Sequence, residues 1–241
     1  MRIFVGAILV FLVLGAQAED LELAATAWSP YVDQRLYKRG VAAALATAAL
    51  ERAGYGTSLT IGPWPEVMTD TQSGAYDVLV GVWLTRNRAM KLTFSEPFLN
   101  NEIKFLKRAD SDIQFRNVTD LTGLRIGVVN DFAYSREAVD TTGIVIKTAG
   151  SVRANIDSLL AGELDLVLAD SRVAMYEANQ MVAARNVTLL PEPFITRKLR
   201  IAVSTTRLDH KEIVKAFDAA IASMRSDGSY NQLLATYRIS Q

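Results

Sequence analysis

Residues 73–80 read Ser-Gly-Ala-Tyr-Asp-Val-Leu-Val, and residues 161–168 read Ala-Gly-Glu-Leu-Asp-Leu-Val-Leu. Both run Gly-x-x-Asp into an aliphatic stretch, and both follow a short helical pattern. A glycine suits the end of a helix, because it enters the left-handed backbone region without a Cβ penalty. An aliphatic run that does not alternate with polar residues is the pattern of a strand buried on both faces. Gly-x-x-Asp is a common helix-to-strand turn, so one occurrence carries little. Placed once in each half of the chain, the pair suggests two lobes built alike.

Working outward, strands are predicted at Leu21–Trp28, Ser58–Ile61, Tyr76–Leu84 and Glu102–Lys107. Helices are predicted over Gly40–Ala53, rich in alanine, and over Glu66–Ser73, closed by Gly74. The second half repeats the theme. Its strands are Leu124–Val129, Ile144–Lys147, Leu164–Ala169, Val187–Leu190 and Leu199–Val203. Its helices are Ser135–Asp140, Val152–Ala161, Ser171–Ala184, His210–Arg225 and Asn231–Tyr237. Strands alternating with helices define an α/β protein.

The first eighteen residues stand apart. Met1-Arg2 is basic, Ile3–Gly15 is apolar but short for a bilayer span, and Ala16-Gln17-Ala18 is a small-x-small cleavage pattern. A secretory leader cut before Glu19 is the expectation, with an N-terminal membrane anchor as the alternative. The chain has no cysteine, which excludes both disulfides and a lipid attached through cysteine. Stability must then come from an ordinary core, for which 241 residues with 50% hydrophobic composition suffice. Its 26 basic and 26 acidic residues give a formal charge of zero, which disfavours a nucleic-acid partner. No later segment is long and apolar enough for a transmembrane helix. A periplasmic, unlipidated, monomeric chain is the reading.

Residues 81–98, GVWLTRNRAMKLTFSEPF, put two arginines at the mouth of the strand Tyr76–Leu84. Taken with Trp28-Ser29-Pro30-Tyr31 and Trp64, the spacing of Thr85-x-x-Arg88 to Phe94-Ser95-Glu96-Pro97-Phe98 resembles the first lobe of the bacterial extracellular solute-binding proteins, family 3. Three further stretches resemble its second lobe and tail: Asp120–Val129 (DLTGLRIGVV), Leu159–Asp170 (LLAGELDLVLAD) and Arg225–Tyr230 (RSDGSY). The resemblance runs from about Leu21 to Tyr237. It implies two Rossmann-like α/β lobes joined by two crossover strands, Glu102–Arg108 and the stretch after Pro193, with a ligand cleft between them. Residues 1–18 would be the leader, 19–103 and 199–241 the first lobe, and 104–198 the second.

Arg88 matches the arginine that clamps the ligand's carboxylate in that family, a task suited to a guanidinium fork. Its alternative is a surface arginine pairing with Glu96 or Glu102. Asp170 matches the acceptor of the ligand's amine, and as the residue before Ser171 it is also a candidate helix N-cap. Trp28, Tyr31, Trp64 and Trp83 lie near predicted strand ends and suggest an aromatic cleft wall, with Trp28 and Trp83 favoured. Two departures from the family pattern stand out. Trp83 occupies the place of a small hydroxyl residue. Asp131 brings a negative charge into the stretch where Gly-Thr-Thr is usual, although Tyr134 and Ser135 beside it are potential donors.

The resemblance implies a non-enzymatic binding protein for a small polar molecule bearing a carboxylate, an amine or both, presented to an ABC-type permease. Dehydratases of cyclic carboxylic acids share the fold, as an alternative, and a sensory binding protein without a transporter is another. No cofactor or metal is expected. The chain has one histidine, His210, no cysteine, no glycine-rich phosphate loop and no Gly-x-Ser-x-Gly elbow.

Overall fold

The computed structural model describes residues 20–130 and 143–237. Its strands are β1 (Asp20–Ala25), β2 (Gly56–Ile61), β3 (Val78–Val82), β4 (Leu92–Phe94), β5 (Leu99–Arg108), β6 (Arg125–Val129), β7 (Val145–Ala149), β8 (Leu166–Asp170), β9 (Val187–Leu189) and β10 (Ile195–Ser204). The α-helices are α1 (Val41–Arg52), α2 (Trp64–Ser73), α3 (Arg86–Ala89), α4 (Val152–Leu160), α5 (Ser171–Gln180), α6 (His210–Ser226) and α7 (Ser229–Thr236). The strand order is β2-β1-β3-β10-β5-β8-β6-β7, with β4 on β10 and β9 on β5.

The two copies of Gly-x-x-Asp do the same job. Gly74 and Gly162 both have a left-handed backbone, with φ of 88° and 77°. Three residues on, each aspartate ties its strand to the parallel neighbour. Asp77 N–H donates to the Glu22 carbonyl at 2.8 Å, and its carboxylate accepts from Glu22 N–H at 2.9 Å. Asp165 N–H donates to the Arg125 carbonyl at 2.8 Å, and its carboxylate accepts from Arg125 N–H at 2.8 Å. An arginine completes each pair: Arg207 on Asp77 and Arg125 on Asp165. The hydrogen bonds from Arg125 hold the Asp165 carboxyl below its ordinary range.

The aliphatic runs that follow are buried on both faces. In β3, Val78 and Val80 join the main core with α1 and α6, while Leu79 and Val82 turn to the cluster of Val67, Leu92 and Ala202. In β8, Val167 and Ala169 join Ile156 and Leu159 of α4, while Leu166 and Leu168 face Phe105, Leu121 and Ile126. Each such leucine or valine contributes about 1.5–3 kcal/mol on burial. β3 is covered by helices on both faces, and β8 by helices on one face and by Leu121, Leu190, Phe115 and Phe194 on the other, which is the reason for the non-alternating pattern.

Two long antiparallel strands connect the halves. β10 pairs with β5 over Ile195–Leu199, then with β3 over Arg200–Val203. β5 passes from β10 to β8 at Ile103. The sequence predicts only parts of both, Glu102–Lys107 and Leu199–Val203. The missing ends are their polar ends: Asn100-Asn101 lies near the start of β5, and Thr196-Arg197-Lys198, only partly buried, near the start of β10, so neither start carries an apolar strand signal. α5 stops at Gln180, four residues before the predicted end, and Val182 beyond it takes a positive φ of 57°. The helix predicted over Ser135–Asp140 lies outside the described residues, as does the leader.

Candidate functional site

The turn after β1 carries the first part of the site. Trp28 and Val32 form an antiparallel bridge, closed by Trp28 N–H on the Val32 carbonyl at 2.7 Å. Helix α1 begins against this turn. Its first amides need partners outside the helix. Val41 N–H donates to the Pro30 carbonyl at 3.2 Å, and Ala42 N–H to the Tyr31 carbonyl at 2.9 Å. The helix thereby holds the backbone of Tyr31, whose ring packs on Trp28 at 4.6 Å between centroids. Trp28 in turn meets Trp83 edge-on at 6.1 Å.

Asp170, at the end of β8, closes the arrangement from the other half. It caps α5, with Oδ1 accepting from Arg172 N–H and Val173 N–H, each at 3.0 Å. The Tyr31 hydroxyl lies 3.1 and 2.9 Å from its two oxygens, and Asn101 Nδ2 donates to Oδ2 at 3.0 Å. Asn101 Oδ1 accepts from Trp83 Nε1 at 2.9 Å. Arg172 Nη1 stands 3.3 Å from the Tyr31 hydroxyl and donates to the Asn100 carbonyl at 2.5 Å. Burial raises the Asp170 carboxyl above its ordinary range despite these donors. It also raises the Tyr31 phenol, and the adjacent Asp170 charge adds to that shift.

Arg88 sits beside this chain of contacts. Thr85 Oγ1 caps its short helix, accepting from Arg88 N–H at 3.3 Å. The guanidinium lies over the Trp64 ring, 4.9 Å from its centroid, and Nη1 donates to the Trp83 carbonyl at 2.8 Å. It is half-buried, and burial lowers its pKa. It makes no ion pair among the described residues. Glu96 approaches Arg200 instead, at 3.8 Å, and Glu102 pairs with Lys104 at 2.9 Å.

A cavity of about 700 Å³ opens beside Trp28, between Ser29 and Asp33 on one side and Val129, Ser151 and Glu177 on the other. Both walls carry an ion pair: Arg35 on Asp33 at 2.8 Å and Arg153 on Glu177 at 3.2 Å. The Arg35 hydrogen bonds hold the Asp33 carboxyl well below the ordinary range. Arg88, Trp83 and Asp170 do not line this cavity. Its volume falls in the range of small-molecule sites, roughly 300–1,000 Å³.

Of the sequence-based candidates, Trp28, Tyr31, Trp83 and Asp170 form one connected cluster, and Arg88 joins it through the Trp83 carbonyl. Asp131, Tyr134 and Ser135 lie outside the described residues. Asn101 and Arg172 were not among the candidates. The signal for Asn101 is its phase, since Leu99, Asn101 and Ile103 share the buried side of β5.

This geometry, two α/β halves bridged by paired crossover strands with a polar and aromatic cluster at their junction, defines the class of two-lobed binding folds. The sequence profile of the bacterial extracellular solute-binding proteins, family 3, matches residues 25–240, and the chain belongs to that family. It is 26% identical over 186 residues to the L-cystine-binding protein TcyJ of Escherichia coli, covering 75% of this chain and 66% of that protein. It is also 26% identical to an L-arginine-binding protein of Pseudomonas aeruginosa, covering 66% of this chain and 63% of that one. The chain thus spans about two thirds of the length of these relatives. Among solved structures, an ancestral cationic amino acid solute-binding protein, AncCDT-1, superposes with a TM-score of 0.74 at 22% identity. That match covers 90% of this chain and 94% of that one.

Proposed function

We propose that this chain is a solute-binding protein that takes up a small carboxylate-bearing molecule of amino-acid-like size between its two lobes and hands it to an ABC-type importer. The observation that carries the reading is Arg88, a half-buried guanidinium without an acidic partner among the described residues. The Trp64 ring and the Trp83 carbonyl offset only part of the cost of holding this cation out of water, and a ligand carboxylate would offset more while using the rest of the fork of N–H donors. Trp28 and Trp83 supply the apolar wall. The names of the two bacterial relatives support an amino-acid-like solute. Ligand contacts made to both lobes at once would favour the closed form.

We place the lobe boundaries at 103/104 and 198/199. What supports them is the change of partner along β5 at Ile103 and along β10 between Leu199 and Arg200.

The test is a thermal-shift and calorimetric panel of amino acids, their carboxylate-only analogues and simple amines, with product analysis of each mixture. Compounds bearing a carboxylate should bind and be recovered unchanged. At a hundred times the dissociation constant the stabilisation should be about 2.7 kcal/mol. Amines alone binding would overturn the role given to Arg88. Consumption of a cyclic carboxylic acid would favour an enzyme on this fold.

Export to the periplasm belongs to the same reading. No helix among the described residues is long and apolar enough to cross a membrane. With Ala16-Gln17-Ala18 as the cleavage pattern, the exported form should begin at Glu19. Intact-mass measurement on a periplasmic extract reads this directly, and retention of Met1-Arg2 would contradict it.

A further inference from the structure

Asp170 has little acceptor capacity left. An ionised carboxylate offers about four lone-pair sites. Here two backbone amides take Oδ1, Asn101 takes Oδ2, and the Tyr31 hydroxyl lies within reach of both oxygens. The residue is 2% exposed and Tyr31 is fully buried. A cationic newcomer would also meet Arg172, whose Nη1 is 3.3 Å from the same hydroxyl. The partners come from both halves of the molecule. Tyr31 stands on the turn between β1 and α1, whereas Asp170 ends β8.

We propose that the Tyr31 hydroxyl occupies the position on Asp170 that a ligand's ammonium would need, so that the two lobes are tied by the protein's own side chains and the solute is selected by its carboxylate and apolar parts, without an ammonium contact at Asp170. This rests on the binding reading above. It makes Tyr31 a specificity-determining residue. Its phenol is a neutral donor that satisfies the carboxylate and leaves no vacancy for a charged one. Asn101 serves as the second link, because it passes the same hydrogen-bonded chain to Trp83 in the aromatic wall.

The experiment compares full-length wild type, Tyr31→Phe and Asp170→Asn after leader removal. The Tyr31 change deletes one oxygen from a buried ring, and the Asp170 change keeps an oxygen that can cap α5. Probes are pairs differing only in the α-ammonium: L-glutamate with glutarate, L-arginine with δ-guanidinovalerate, and L-cystine with dithiodipropionate. In wild type the member lacking the ammonium should bind within about threefold of the amino acid. In Tyr31→Phe the amino acid should gain at least about tenfold over its partner, since the opened carboxylate can now accept a charged donor. Small-angle scattering without ligand should show Tyr31→Phe more expanded than wild type. A tenfold or larger loss in wild type on removing the ammonium, reproduced as lost discrimination in Asp170→Asn, would overturn the proposal. So would a Tyr31→Phe chain with neither the gain nor the expansion. If no probe bound any of the three chains, the binding reading would fail, and the scattering comparison would still decide whether Tyr31 ties the lobes.

Discussion

Arg88→Lys should lose most of the affinity for a carboxylate ligand while leaving the unliganded fold nearly as stable. Lysine keeps the charge but replaces a planar fork with a single ammonium, so two parallel hydrogen bonds to one carboxylate are no longer available. The side chain also gives up its position over Trp64, 4.9 Å from the ring centroid, and its bond to the Trp83 carbonyl. By comparison with truncated charge pairs in desolvated sites, the loss is about 2–5 kcal/mol, or roughly 30-fold to several thousand-fold in dissociation constant. The fold should be affected much less. Replacing the stacked guanidinium by an ammonium should cost at most about 1 kcal/mol, and the burial that lowers the pKa of Arg88 already disfavours its charged form. Calorimetry with the tightest compound from the panel, alongside thermal melts without ligand, separates the two effects. An unchanged dissociation constant would make Arg88 a structural partner of Trp64 and Trp83 only.

Gly40→Ala should have the largest effect on stability among the positions considered. Gly40 has φ of 100° and ψ of 163°, a region essentially confined to glycine. A Cβ there would stand 2.5 Å from the Tyr31 carbonyl oxygen, 2.7 Å from its carbon and 2.9 Å from the Pro30 carbonyl oxygen. These are backbone atoms, and the same two carbonyls accept the first amides of α1. The clash therefore cannot be relieved by a side-chain rotation. Strain of about 1–3 kcal/mol adds to overpacking of about 1–3 kcal/mol, against a total stability of about 5–15 kcal/mol. At about 2–4 °C per kcal/mol, the melting temperature should fall by about 4–24 °C. Gly123→Ala is the control. Its φ is also positive, at 78°, but its Cβ would meet nothing within 4 Å. Equal losses at the two positions would mean that backbone conformation alone matters. A larger loss at Gly40, with altered tryptophan fluorescence from the displaced Trp28, would show that the close approach shapes the site.

The fold was largely legible because its signals are local. The two Gly-x-x-Asp turns need a left-handed glycine and a carboxylate three residues later, and both positions are written plainly in the chain. The runs Val78–Val82 and Leu166–Asp170 announce strands covered on both faces, since no polar residue interrupts their aliphatic start. The long strands are legible only in part, for the opposite reason. Each has polar residues near its start, Asn100-Asn101 in β5 and Thr196-Arg197-Lys198 in β10, which join the sheet only because a neighbouring strand lies beside them. Asn101 shows the same limit at the site. Its polarity is visible in the sequence, but its two partners, Trp83 and Asp170, are 18 and 69 residues away.

By itself, then, the sequence determined an α/β chain of two similar halves, the identity of its family, and the residue types at the junction. Those follow from periodicity and turn chemistry, which act over a few residues, and from the order of motifs along the chain. Only the tertiary structure decided which of those residues meet. The Tyr31 hydroxyl reaches Asp170 across a separation of 139 residues, and the Arg88 guanidinium meets Trp64 rather than Glu96 or Glu102. Hydrogen bonds and desolvation depend on distances of a few ångströms, and those distances exist only once β5 and β10 have brought the two halves together.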